Sequence, residues 1–241
     1  MVIDTDPGVD DTWAILFLAA QPDVEIVAVG AAHGNVPTAV AAANALRVLD
    51  VAGLDQVPVA VGHPAPLQQS LRTAEFVHGE DGLGGKAGPA SPREVSPESA
   101  AEQLVRLARQ RPGELTLLAL APLTNIVLAL RLEPSLPRLL RRVVFMGGAF
   151  HVAGNVSAWA EANSAHDPEA AEEVLRAGFD LIVLGASGVP RPKRPGRSGR
   201  IGRRSEQDAR CDRRPAPRRV AGWILSRPEP LLRDHAHRSP G

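Results

Sequence analysis

The chain contains no tyrosine, a single cysteine at position 211 and only 3% aromatic residues in 241 positions. One thiol excludes an internal disulfide and fits a reducing compartment, so a cytoplasmic location is expected. With so few aromatics, Ala, Val and Leu make up most of the 44% hydrophobic content. That is enough apolar material for one α/β domain at this length. Long hydrophobic runs are also missing. Leu115–Leu123 is among the longest, far short of the ~20 residues of a bilayer span, and no membrane association is expected. No basic or apolar leader precedes the first acidic residues, which predicts no signal peptide.

Net charge is absent too, at +0, but this zero averages two unlike parts. Residues 1–185 hold 12 Lys and Arg against 22 Asp and Glu, a balance of −10, while 186–241 hold 15 against 5, a balance of +10. The second part also carries 8 of the 22 prolines. The expected organisation is therefore an incomplete α/β domain over 1–185 and a disordered, basic Pro/Arg/Gly-rich tail over 186–241. A basic tail can serve nucleic-acid binding, here through Arg191–Arg219, and such binding would be strongly salt-dependent. The alternative favoured here is a frame-shifted or degraded C-terminus, because the strand starting at Leu181 breaks off where an α/β fold should continue. Nucleic acid is accordingly not expected as a partner.

The first part alternates strand-like and helix-like segments. Strands are expected at Glu25–Ala32, Val57–Val61, Leu115–Ala121, Arg142–Met146 and from Leu181. Helices are expected at Thr12–Ala20, Thr38–Ala52, Ser96–Gln110, Thr124–Leu132 and Pro168–Ala177, with Ser96 as an N-cap and Asp167-Pro168 as a cap and first helical residue. Near-continuous apolar strands alternating with helices predict an open, mainly parallel sheet covered on both faces.

The most informative segment is Val2–Asp11, VIDTDPGVDD. A β-branched start leads into Asp4, Asp6, Asp10 and Asp11 around a Pro7-Gly8 turn. Four carboxylates at the carboxyl end of a first strand, where open α/β sheets bind ligands, repel one another unless a cation sits among them. Hard divalent cations take such oxygen ligands. Capping would account for Asp10 or Asp11 at a helix start, but not for Asp4 and Asp6.

Other segments carry weaker signals. Asn35 ends the second strand in HGNV, where a turn or a ligand contact reads equally well. His78–Gly85, HGEDGLGG, is a glycine-rich loop without the Lys-Ser/Thr of a phosphate loop. Asn155, Glu161 and Asn163 lie close together in GNVSAWAEANSAHDPEAA, a density of amides and acid that is rare in a core.

In order, these segments resemble the inosine-uridine-preferring nucleoside hydrolase family, whose members open with DTDPGxDD. The resemblance runs over residues 1 to about 185. It implies a Rossmann-like core, a ribonucleoside substrate, Ca²⁺ as cofactor and a dimer or tetramer. It assigns the metal to Asp6, Asp11 and the Leu120 carbonyl, with Asp6 as general base. Asp10, Asn35, His78, Asn155, Glu161 and Asn163 are then the substrate-binding residues. Ala162 stands where relatives often carry Phe. Relatives also supply a further Asp and a His from a C-terminal HD segment. Here only Asp234, His235 and His237 are nearby, in reversed order, so an inactive truncated member of the family is an alternative. A DTD start is similar as well to haloacid-dehalogenase-type phosphatases, but Pro7 and Gly8 occupy positions that their motif needs otherwise.

Overall fold

In the computed structural model, residues 1–150 and 152–185 are described. The tail expected over 186–241, with Asp234, His235 and His237, lies outside them. Seven strands form one sheet in the order β4-β3-β2-β1-β5-β6-β7, and all six pairings are parallel. The strands are β1 (Val2–Thr5), β2 (Ala28–Ala31), β3 (Val59–Val61), β4 (Ser96–Ser99), β5 (Thr116–Ala119), β6 (Arg142–Met146) and β7 (Leu181–Leu184). The helices are α1 (Val9–Ala19), α2 (Thr38–Val51), α3 (Glu75–His78), α4 (Ala100–Gln110), α5 (Thr124–Leu132), α6 (Leu136–Leu139), α7 (Ala162–His166) and α8 (Pro168–Arg176).

Strand alternation sorts the core into two layers, as period-2 side-chain placement requires. From β1, Ile3 joins Val29 and Ala31 of β2 with Ile15 of α1 and the Ala-rich face of α2. Val2 points the other way and packs with β5, β6 and helices α4, α5 and α8. The apolar strands foreseen in the sequence thus take helices on both faces. At the β7 edge, Leu181 and Val183 pack against the second layer, whereas Ile182 and Leu184 are exposed.

Strand order reverses at β1, whose neighbours are β2 on one side and β5 on the other. Open α/β sheets bind ligands at the carboxyl ends of strands beside such a switch point. The VIDTDPGVDD segment ends β1 at that place. Among the described residues, no helix is long and apolar enough to cross a membrane.

Most expected elements are present with shorter strands, but Ser96–Gln110 divides. Ser96–Ser99 is the edge strand β4, and the helix starts at Ala100. Ser99 rather than Ser96 is the N-cap: its Oγ accepts from the Glu102 N–H at 3.3 Å, and Glu102 accepts from the Ser99 N–H at 2.8 Å. The sequence pattern S-x-x-E fits a capping box at Ser99; the pleated SPES segment before it has no apolar alternation to betray a strand. Helices α3, α6 and α7 are too short to show a period and were not foreseen. Asp167 caps α8 and Pro168 opens it, as expected.

Replacing Ser99 by Ala should cost ~1 kcal/mol, the usual worth of a cap. Ser96→Ala should stay within ~0.5 kcal/mol, as for ordinary surface changes. Urea titrations measure both, and equal losses would overturn the assignment of the cap.

Candidate functional site

The site is built where β1 gives way to α1. Thr5 shares a face with Ile3, toward α1, and its hydroxyl donates to Asp11 Oδ1 at 2.9 Å. Asp11 is the third residue of α1, and its Oδ2 accepts the Gly8 N–H at 3.1 Å. The capping role weighed for Asp11 is therefore real, and it is not the whole role. The same Oδ2 accepts from Asn35 Nδ2 at 3.0 Å, while the Asn35 N–H donates to Asp6 Oδ2 at 2.5 Å. Asn35 thus bridges two buried carboxylates. Two glycines make this possible. A Cβ on Gly8 would lie 2.7 Å from His78 Nδ1 and 2.8 Å from Asn35 Nδ2. One on Gly34 would collide with Asp6 Oδ2, and Gly34 has φ +152°.

The four acids of the motif do not all meet at one point. Asp6 and Asp11 come together. Asp10 points to solvent beside His78, with Oδ1 3.9 Å from Nδ1. Asp4 shares the face of Val2, on the far side of the sheet, where Asn125 Nδ2 donates to its Oδ1 at 2.9 Å. Asp4 lies within β1, whereas Asp6 follows the strand end, where the Pro7-Gly8 turn redirects the chain, and the helix turn sets Asp10 apart from Asp11. Among the described residues, no group of three His, Cys, Asp or Glu side chains could hold a metal.

Two buried acids side by side are electrostatically costly. Burial pushes Asp6 well above the ordinary carboxylate range, and the adjacent Asp11 charge pushes it further. Burial likewise raises Asp11 to about 6, helped by Asp10, and Asp4 to about 7 against the pull of Asn125. Asp6 Oδ1 is buried without any hydrogen-bond partner. This donor set fits a hard divalent cation: oxygen-only, doubly anionic, with one oxygen left free.

The remaining foreseen residues are tied to other strand ends and loops. Leu120 follows β5, and its N–H donates to the Asp4 carbonyl at 2.8 Å. The Leu120 carbonyl accepts Asn163 Nδ2 at 2.8 Å, and the same amide reaches the Met146 carbonyl at 2.9 Å. Asn163 spends both donors there, which leaves its Oδ1 for a ligand. Buried Glu161 caps α7, accepting from the N–H groups of Asn163, Ser164 and Gly148 at 2.8, 3.1 and 2.9 Å. Asn155 Oδ1 accepts from the Ala162 N–H at 2.8 Å. His78 Nδ1 accepts from the Val9 N–H at 3.3 Å. Its glycine-rich loop is wound around Asp81, which accepts from Leu83, Gly85 and Ala87. These backbone bonds, that from Gly85 foremost, hold the Asp81 carboxyl below its usual range.

Several buried polar residues were missed. Asn44 of α2 donates to the carbonyls of Pro7 and Asp81, tying the acidic turn to the His78 loop. A lone Asn in an Ala-rich helix face was the available signal. Asn125 accepts from the His63 N–H while it holds Asp4. Asp167, read as a cap alone, also accepts from the Leu67 N–H and the Thr124 hydroxyl.

Raised carboxyl pKa values mean that stability is present below about pH 4 and is lost as the pH climbs through the folded-state values. Buried His33, lowered by desolvation to about 4, runs oppositely, so the carboxyl contribution is best isolated by difference. In cation-free solution Asp11→Asn should gain ~1–3 kcal/mol relative to the parent between pH 4 and 7. Urea midpoints across that range measure it, and a pH-independent difference would contradict the burial of this charge.

Comparison with known proteins adds four matches. The family model described as inosine-uridine preferring nucleoside hydrolase matches residues 1–193. Uridine nucleosidase 1 of Arabidopsis thaliana is 45% identical over 186 residues, covering 77% of this chain and 55% of that protein. Among solved structures, the plant nucleoside hydrolase PpNRh1 superposes with a TM-score of 0.74 at 41% identity, covering 76% of this chain and 58% of that one. A purine-preferring ribonucleoside hydrolase from Gardnerella vaginalis also reaches a TM-score of 0.74, at 34% identity, covering 76% and 60%. The chain thus spans little more than half the length of these relatives.

Proposed function

Because this chain belongs to the inosine-uridine preferring nucleoside hydrolase family, we propose that it hydrolyses the N-glycosidic bond of purine or pyrimidine ribonucleosides, giving ribose and free base. The observation that carries this reading is the buried Asp6–Asp11 pair, bridged by Asn35 at the switch point of the sheet. One relative is named for uridine and another for purines, so both base classes belong in the test.

In this reading Asp6, Asp11 and the Leu120 carbonyl would hold Ca²⁺, which when bound supplies a polarised water and a grip on the ribose hydroxyls. Asp6 takes the proton of the attacking water on its otherwise unpartnered Oδ1. Water adds to C1′ as the C1′–N bond breaks, and the departing base carries away the bonding electron pair. Asn35 keeps Asp6 and Asp11 in register through its two donors. Asp10 lies beside His78 at the open side, where both can meet the substrate. Asn163, with Oδ1 free, and Asn155 and Glu161 near it line the ribose side. Polar groups aimed at sugar hydroxyls reject a substrate lacking them, because they would be left unpaired.

A ribose-release assay with uridine, inosine and guanosine, with and without Ca²⁺, tests the proposal. Activity should require Ca²⁺, and Asp6→Asn should lower kcat by at least ~10², the ordinary share of a general base. Full activity of Asp6→Asn would overturn its role. Calcium uptake by calorimetry without ribose release would favour the inactive-member alternative.

A further inference from the structure

His33 lies on the loop between β2 and α2, two residues before Asn35, and only 1% of its surface is exposed. Its Nε2 is 2.9 Å from the Thr124 hydroxyl, whose oxygen is 2.6 Å from Asp167 Oδ2. The direction of this chain follows from chemistry. A carboxylate only accepts, so Thr124 donates to Asp167, and the hydroxyl oxygen must accept from His33. Nε2 therefore carries the ring hydrogen, and Nδ1 is a buried lone pair without a partner. Asp167 is itself immobilised by the N–H groups of Leu67 and Ala170, at 3.0 and 3.1 Å.

The loop is anchored at other points as well. The Ala32 N–H donates to the Thr5 carbonyl at 2.8 Å, and the Asn35 carbonyl accepts from the Ala74 N–H at 3.0 Å. None of these bonds uses a side chain of the loop to tie it to α5 and α8; His33 does.

We propose that His33 is a positioning residue: the His33–Thr124–Asp167 chain holds the loop from Ala32 to Val36 so that the Asn35 amide stays on Asp6. The proposal rests on the reading of Asp6 as the proton acceptor. Its physical basis is leverage, since the hydrogen bonds of Asn35 itself run to Asp6, Asp11 and Ala74, while those of His33 run to α5 and, through Thr124, to the cap of α8. Burial keeps the ring neutral, aided by the nearby His166 and His63 and opposed by Asp167. A neutral ring with one committed donor has a defined orientation, whereas a protonated ring would place a second donor against a site with no acceptor.

Long-range ¹H–¹⁵N NMR of the imidazole provides a test independent of turnover. His33 should show the neutral Nε2–H tautomer at pH 6–8, and the Nδ1–H tautomer or imidazolium would overturn the proposal. Kinetics and calorimetry supply the second test. His33→Leu and Thr124→Val remove the chain at similar volume. Each should lower kcat by about 10-fold with KM changed less than about 3-fold, the pattern of an interaction needed mainly in the transition state. Each should also weaken Ca²⁺ binding in calorimetry. His33→Gln and Thr124→Ser restore a donor and a hydroxyl, and should recover to within about 3-fold of the parent. Loss in all four variants alike would mean a merely structural role and overturn the idea, as would parental kinetics and Ca²⁺ binding in His33→Leu. Asp6→Asn run in parallel separates the two failures: if it keeps full activity the reading of Asp6 falls, and if it is dead while His33→Leu is unimpaired only the positioning role falls. Should the parent release no ribose, the tautomer and the calcium isotherms of the same variants decide.

Discussion

Two carboxylates that repel each other are buried together at the end of β1, and much of the surrounding structure exists to hold them there. Asp6 and Asp11 meet because β1 is cut short by Pro7 and Gly8 and α1 begins at once. Thr5, Gly8 and Asn35 then supply the hydrogen bonds that bring the two acids into a common place. A sheet interior would not tolerate such a pair for its own sake, since isolated buried charge is costly. The raised carboxyl pKa values are the measure of that cost. A divalent cation between them, as proposed above, would offset this repulsion.

Further buried polar side chains each fasten one segment to another at the carboxyl ends of the strands. Asn44 joins the acidic turn to the His78 loop, Asn125 joins β1 to the segment after β3, and Asn163 joins the ends of β5 and β6. The chain from His33 to Asp167 performs the same service for the loop carrying Asn35. Amides suit this work because one side chain can donate and accept at once. A parallel sheet leaves its loops without mutual ladder bonds at this edge, so side chains must replace them if a site is to be held in a fixed geometry.

Much of the framework was legible in the residues. Apolar strands such as Arg142–Met146 and a helix such as Thr124–Leu132 announce themselves by run length and period. Ser96–Ser99 did not, since SPES carries no alternation and lies at the sheet edge, where pairing with β3 alone makes it a strand. Within DTDPGVDD, the fold ties Asp6 and Asp11 to Asn35 but turns Asp4 toward Asn125 and Asp10 toward His78. Glu161 also looks different once folded: its carboxylate is a helix cap as well as a candidate ribose contact.

The sequence by itself determined an α/β chain with an acidic turn after its first strand, because those properties reside in local composition, period and turn chemistry. Only the tertiary structure decided that Asn35 ties Asp6 to Asp11 while Asn125 takes up Asp4. It alone joined His33 to Asp167 across the fold. Side-chain direction depends on which face of the strand or helix is buried, and contacts between distant residues arise only when the layers pack, so neither can be read along a one-dimensional chain.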